Sequence, residues 1–108
     1  MRDQVEAFLQ SLTIERGLSA HTREAYRRDL LRFADYLEGE GVSLDEAKES
    51  EITSHLFRLR QGGLSSRSVH RAISCLRGFF RFSVEEGLLS LDPTVHLQSP
   101  RFRPTDSY

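Results

Sequence analysis

Four arginines and a histidine gather on one side of the stretch that follows Ser65. At about 100° per helical residue, Arg67, Arg71, Ser74, Gly78 and Arg81 fall within about 40° of one line, with His70 and Arg77 further round. Val69, Ile73, Leu76, Phe80 and Val84 fall opposite, and Phe79 and Ala72 widen that apolar face. The polar side carries no acid before Glu85. Most charged helix faces are simply solvated, but such faces usually mix signs, because pairs of like charge four residues apart cost a few tenths of a kcal/mol each. Arg67 and Arg71 stand four apart, as do Arg77 and Arg81, and both pairs repel. A face of one sign this long calls for an anionic partner. The small Ser74 and Gly78 on the same line would let another backbone come close.

A second basic cluster, Arg23, Arg27, Arg28 and Arg32, is interrupted by Glu24, Asp29 and Asp35. Arg28 and Arg32 lie near Glu24 and Asp35, with which they can pair. Arg23 and Arg27, with His21 and Thr22, sit at the start of a helix, where hydroxyls and free amides suit either a cap or a phosphate.

The elements that must carry these residues are punctuated twice in the same way. Gly17-Leu18-Ser19 and Gly63-Leu64-Ser65 open two stretches at an offset of 46 residues. At that offset Leu30 falls on Leu76, Phe33 on Phe79, Tyr36 on Phe82, and Glu40-Gly41 on Glu86-Gly87. Each stretch reads as a glycine turn, a serine cap, a long helix and a glycine stop. The arginines do not follow the repeat, since Arg27 falls on Ile73 and Arg28 on Ser74.

The periodicity predicts a first helix from about Asp3 to Arg16, with Asp3 and Glu6 spaced as a capping box and Val5, Phe8, Leu9 and Leu12 inward. A second helix starts between Ser19 and Thr22 and runs to about Glu38, with Tyr26, Leu30, Phe33, Ala34 and Leu37 as its apolar stripe. Residues 42–50 form an acidic connection with one helical turn at Asp45–Lys48. The third helix spans about Ser50 to Gln61, with Ile52, Leu56 and Leu59 inward, and the fourth runs from a Ser65 cap to about Glu86. Asp92-Pro93 starts a further turn that would pack Val95 and Leu97 down. No segment alternates with period two, so the class is all-α: four main helices in two antiparallel hairpins plus a short C-terminal helical turn.

Composition fits one soluble domain: 108 residues, 38% hydrophobic and 29% charged. No apolar run approaches the roughly 20 residues that span a bilayer, and MRDQVEAF has no apolar leader region, so a cytoplasmic location is expected and no membrane partner. The net charge of −1 hides a polarity. Residues 1–51 hold 7 Lys+Arg and 12 Asp+Glu, whereas residues 52–108 hold 8 and 4. All but one of the 15 basic residues are arginine, whose planar fork suits phosphates and guanine edges. The lone Cys75 has no partner for a disulfide, and His21, His55, His70 and His96 show no metal-ligand spacing, so neither a metal nor a cofactor is expected.

The ordered set Thr22, Ala25-Tyr26-Arg27-Arg28-Asp29-Leu30, Phe33, Gly62-Gly63-Leu64-Ser65, Arg71, Ser74, Leu76-Arg77, Phe79-Phe80, Asp92-Pro93 and Ser99-Pro100 resembles the N-terminal core-binding (SAM-like) domain of tyrosine recombinases, the XerC/XerD type of phage-integrase relatives. The resemblance implies a domain over residues 1–98 that covers one face of a duplex recombination half-site, with the second and fourth helices in the major groove. Residues 99–108 would then begin a linker to a separate catalytic domain. Carried over by position, the DNA-contacting residues are Thr22, Arg27 and Arg28 on the second helix and Ser66, Arg67, His70, Arg71 and Arg77 on the fourth. The helical line adds Ser74 and Arg81. Neighbouring protomers on DNA are the other implied partner. The family's tyrosine nucleophile belongs to the catalytic domain; Tyr108 has no base arranged around it and Tyr26 sits on an apolar stripe, so no catalysis is expected of this chain. The competing reading is a helical protein-interaction module, to which Phe57, Phe82, Leu88, Leu89 and Leu91 could lend an exposed apolar patch.

Overall fold

Both Gly-Leu-Ser sequences do the same work. In the computed structural model, which describes residues 1–97, Ser19 accepts the Thr22 amide through Oγ at 3.1 Å and Ser65 accepts the Ser68 amide at 3.2 Å, so each helix that follows is capped three residues on. Gly17, Gly41, Gly63 and Gly87 are the residues with positive φ among those described. They are two pairs at the 46-residue offset, so the repeat marks the entry and exit turns of two helices.

Helix α1 spans Arg2–Arg16, α2 Ala20–Glu40, α3 Glu49–Gln61 and α4 Ser66–Glu85, with a single 3₁₀ turn at Leu44–Glu46 between α2 and α3. No strand occurs among the described residues. Helix α1 packs chiefly on α2; α4 packs most on α2 and also on α1 and α3, and α3 touches α2 more lightly. The apolar stripes meet in one core. Phe33 and Phe80 stand edge to face at 6.0 Å, Phe79 and Phe80 at 5.6 Å, and Phe8 and Phe79 at 5.8 Å. Val5, Leu30, Ile52, Val69, Ile73 and Leu76 fill the space between them.

Several boundaries differ from the expectation for identifiable reasons. The Asp3–Glu6 capping box does not form: α1 begins at Arg2, with Met1 at its N-cap, and Glu6 turns instead to Arg27 of α2. A capping box does close the 3₁₀ turn, where Glu46 accepts from the backbone N–H and the hydroxyl of Ser43. Glu51 likewise accepts from the Lys48 amide and draws the start of α3 back to Glu49. Gly39 lies inside α2, which continues until Gly41 takes a left-handed conformation. In the C-terminal turn Asp92 accepts from the Thr94 amide at 2.8 Å, which sends Thr94 and Leu97 inward and leaves Val95 66% exposed. The stretch 99–108, read as a linker, lies outside the described residues.

His55 on α3 is buried, its ring 5.2 Å from those of both Phe33 and Tyr36. Burial and the nearby Arg32 push its pKa down to about 4. It is therefore neutral in the folded chain, and its contribution to stability is complete above the unfolded value of 6.5 and lost as pH falls toward 4. Acid titration of stability between pH 6.5 and 4 should show a loss approaching about 3 kcal/mol. In His55→Phe, which has no proton to gain, that part of the pH profile should flatten, as followed by urea unfolding at stepped pH.

Candidate nucleic-acid interface

The helical line on α4 is not one uniform surface. Arg67, His70, Ser74 and Arg81 are exposed, whereas Ser66, Arg71 and Arg77 are half-buried. A Cβ on Gly78 would stand 3.2 Å from the Phe8 ring, so this glycine makes room for α1 and not for a ligand backbone. Arg77 bends away and donates through Nη2 to the Leu97 carbonyl, tying α4 to the C-terminal turn.

Arg71 is the most constrained of the set. Its Nε donates to Asp29 Oδ2 and its Nη2 to Asp29 Oδ1, both at 2.9 Å, a fork-to-fork pair between α4 and α2. The Asp29 side chain is 1% exposed and the Arg71 side chain 34%. Arg32 Nη1 stands 4.0 Å from the same carboxylate as a second, looser cation. The hydrogen bond to Asp29 raises the Arg71 pKa, so the guanidinium stays charged at any ordinary pH. The anion that the arginine face of α4 called for is thus supplied in part from within the chain. It was invisible along α4 because Asp29 lies 42 residues away on another helix.

On α2 the pairings also differ from those expected by spacing. Arg27 holds Glu6 of α1 through Nε and Nη2, each at 2.8 Å, and also bonds Glu24. Glu6 is accordingly held below its ordinary pKa by the Arg27 hydrogen bond. Arg32 reaches Asp29 and not Asp35. Arg28 is exposed and has no hydrogen bond or ion pair with the described residues, as is true of Arg67 and Arg81. Thr22 is half-buried in the first turn of α2, where its hydroxyl accepts from Ser19 Oγ at 3.0 Å. Neither α2 nor α4 has an acid in its first turn, so both N-termini keep their positive dipole ends uncompensated.

The Asp29–Arg71 pair joins the two helices, and Arg28 and Arg67, which have no ion pair among the described residues, come from the same two helices. Such a surface offers fixed cations, capped helix ends and exposed hydroxyls, which together suit a polyanion. Among the described residues no group of His, Cys, Asp and Glu is placed to hold a metal ion, and no helix is long and apolar enough to cross a membrane.

The fold agrees with the sequence comparisons. Residues 5–87 match the family described as phage integrase, N-terminal SAM-like domain, and the chain belongs to it. Its relatives are tyrosine recombinases. The chain is 42% identical over 98 residues to tyrosine recombinase XerD of Pseudomonas aeruginosa, covering 90% of this chain and 33% of that protein. It is 41% identical over 103 residues to tyrosine recombinase XerD of Listeria monocytogenes, covering 94% of this chain and 35% of that protein. Similarity to tyrosine recombinase XerC of Roseiflexus castenholzii is 36% over 102 residues, 94% of this chain and 32% of that one. The chain thus spans about a third of the length of these relatives.

Proposed function

We propose that this chain is a duplex-DNA-binding domain of a site-specific tyrosine recombinase, and that it grips a recombination half-site through α2 and α4. The observation that carries the reading is the set of exposed arginines without partners among the described residues, Arg28, Arg67 and Arg81, on the two helices locked by Asp29 and Arg71. In this reading the exposed arginines hold phosphates, and the hydroxyls and amides at the starts of α2 and α4, Thr22 and Ser66 among them, add phosphate contacts. His70 and Ser74 lie on the same face. Cutting and rejoining of DNA belong to another domain of the parent recombinase.

The test is a titration of the chain onto fluorescent duplexes. Binding that weakens with salt and tolerates changes of sequence supports phosphate gripping. Retention of a small acidic-peptide ligand but no duplex would reject the reading.

Arg27 has a different part in this scheme, because Glu6 and Glu24 compete with DNA for its guanidinium. Glu6→Gln combined with Glu24→Gln should free Arg27 and remove two repelling charges. Affinity for duplex at about 0.1 M salt should rise several-fold, with a steeper salt dependence by about one phosphate.

A second role, contact with neighbouring copies on DNA, has a candidate surface of its own. Leu91 (82% exposed) and Val95 line a groove of about 960 Å³ between the 41–51 connection and the C-terminal turn. Phe57 and Leu88 are exposed elsewhere, whereas Leu89, read as part of a patch, is buried. Sedimentation with and without duplex tests this role: Leu91→Asp should abolish any DNA-dependent association.

A further inference from the structure

Arg71 sits on the proposed DNA face, yet its geometry is wrong for a phosphate clamp. Its charge is already matched by Asp29, so the pair adds little to the field that attracts a polyanion. What the pair adds is direction. A guanidinium has five N–H donors in a plane. Asp29 takes one from Nε and one from Nη2, the side edge of the fork. The end edge, one N–H each from Nη1 and Nη2, is left over, and no described residue accepts from Nη1. The carboxylate that fixes the plane is buried at 1% exposure, whereas the arginine side chain keeps 34%, so the solvent-accessible part of the pair belongs to the arginine. Arg67 lies one helical turn before Arg71, and the short, exposed Ser74 lies just beyond it. An end edge of two parallel donors matches the O6 and N7 acceptors that guanine presents in the major groove, the commonest specific contact of arginine with DNA.

We propose that Asp29 and Arg71 form one base-reading unit, in which Arg71 presents its end edge to a guanine and Asp29 is the positioning residue that aims it. The proposal rests on the reading that α2 and α4 face duplex DNA. It divides the surface: exposed arginines with no partner among the described residues hold phosphates, and the arginine held fork to fork by a buried carboxylate reads sequence. A positioning role differs from a merely structural one because it should alter preference at one base position and leave the others alone.

The experiment selects duplexes from a randomised pool with this chain, sequences the bound fraction, and compares wild type with Asp29→Asn and Arg71→Lys. Asp29→Asn keeps the shape but removes the anion, and Arg71→Lys keeps the charge but removes the fork. Wild type should enrich guanine at one position, and both variants should lose that preference by about tenfold or more while other positions hold. Affinity of Asp29→Asn for the unselected pool should be unchanged or higher, since one positive charge is unmasked. Thermal melting checks the fold; if Asp29→Asn does not fold, Arg71→Lys alone decides, because the preference must vanish in it. Retention of the guanine preference in folded variants overturns the proposal, as does wild-type binding with no base preference, although binding of that kind leaves the DNA reading intact. A wild-type chain that binds no duplex removes both.

Discussion

Arg71→Ala should cost the folded chain about 3 kcal/mol, far more than its partial exposure suggests. The loss comes from what remains behind. With Arg71 gone, the Asp29 carboxylate stays in the interior at 1% exposure, with only Arg32 Nη1 at 4.0 Å to offset it. Removing the other partner is cheaper. In Asp29→Asn, Arg71 is already 34% exposed and can turn its guanidinium to water, so a cost of about 1 kcal/mol is expected. The double variant should be more stable than Arg71→Ala alone, because no unpaired buried charge is left. Urea unfolding of the three variants followed by circular dichroism checks the asymmetry. An Arg71→Ala variant as stable as wild type, or more stable than Asp29→Asn, would contradict it. Lost DNA binding in Arg71→Ala would not by itself identify a DNA contact, because the fold is weakened at the same time.

The second large effect is expected on binding, with almost none on stability. Arg28, Arg67 and Arg81 are exposed, so replacing all three by alanine removes no hydrogen bond or ion pair among the described residues. Surface changes of this kind usually stay within about 0.5 kcal/mol each. If each arginine holds a phosphate, their joint loss should weaken duplex binding on the order of a hundredfold at moderate salt. A binding loss of that size with an unchanged melting curve would separate this surface from the Asp29–Arg71 lock, where substitution also lowers stability.

The helices were legible because their signals are local. The serine caps, the glycine stops and the period of the apolar residues each lie within a few positions of the element they define, and the matched pairs Gly17/Gly63 and Gly41/Gly87 all adopt positive φ. The inward set on α4 was equally plain, since Val69, Ala72, Ile73, Leu76, Phe79 and Phe80 are all buried. What the sequence concealed were the long-range pairings. Asp29 looked like an interruption in a basic helix; it is the buried partner of Arg71. Glu6 looked like half of a capping box; it holds Arg27. Gly78 looked like a place for a ligand backbone to approach, and it is filled by Phe8. In each case a residue with a plausible local role takes a partner from another helix, because a packed interface offers a buried or two-pronged contact stronger than the local alternative. Charge spacing along one helix could therefore single out the arginine face without telling which of its members were already engaged.

That division sharpens the account of the site. Arg27, Arg71 and Arg77 are tied to Glu6, Asp29 and the Leu97 carbonyl, and their first effect is to fix α2, α4 and the C-terminal turn in place. In the proposed function Arg28, Arg67 and Arg81 are the ones left to meet a polyanion, and that polyanion is duplex DNA.

The most direct measurement of that claim is the salt dependence of duplex binding by the wild-type chain and by the Arg28, Arg67 and Arg81 triple-alanine variant. Each phosphate neutralised contributes about −0.9 to the slope of log affinity against log salt. The wild-type slope should be about −3 or steeper, and the triple variant should lose most of it while melting as wild type does. Wild-type binding that ignores salt, or a triple variant with unchanged slope and affinity, would contradict the assignment of this surface to DNA.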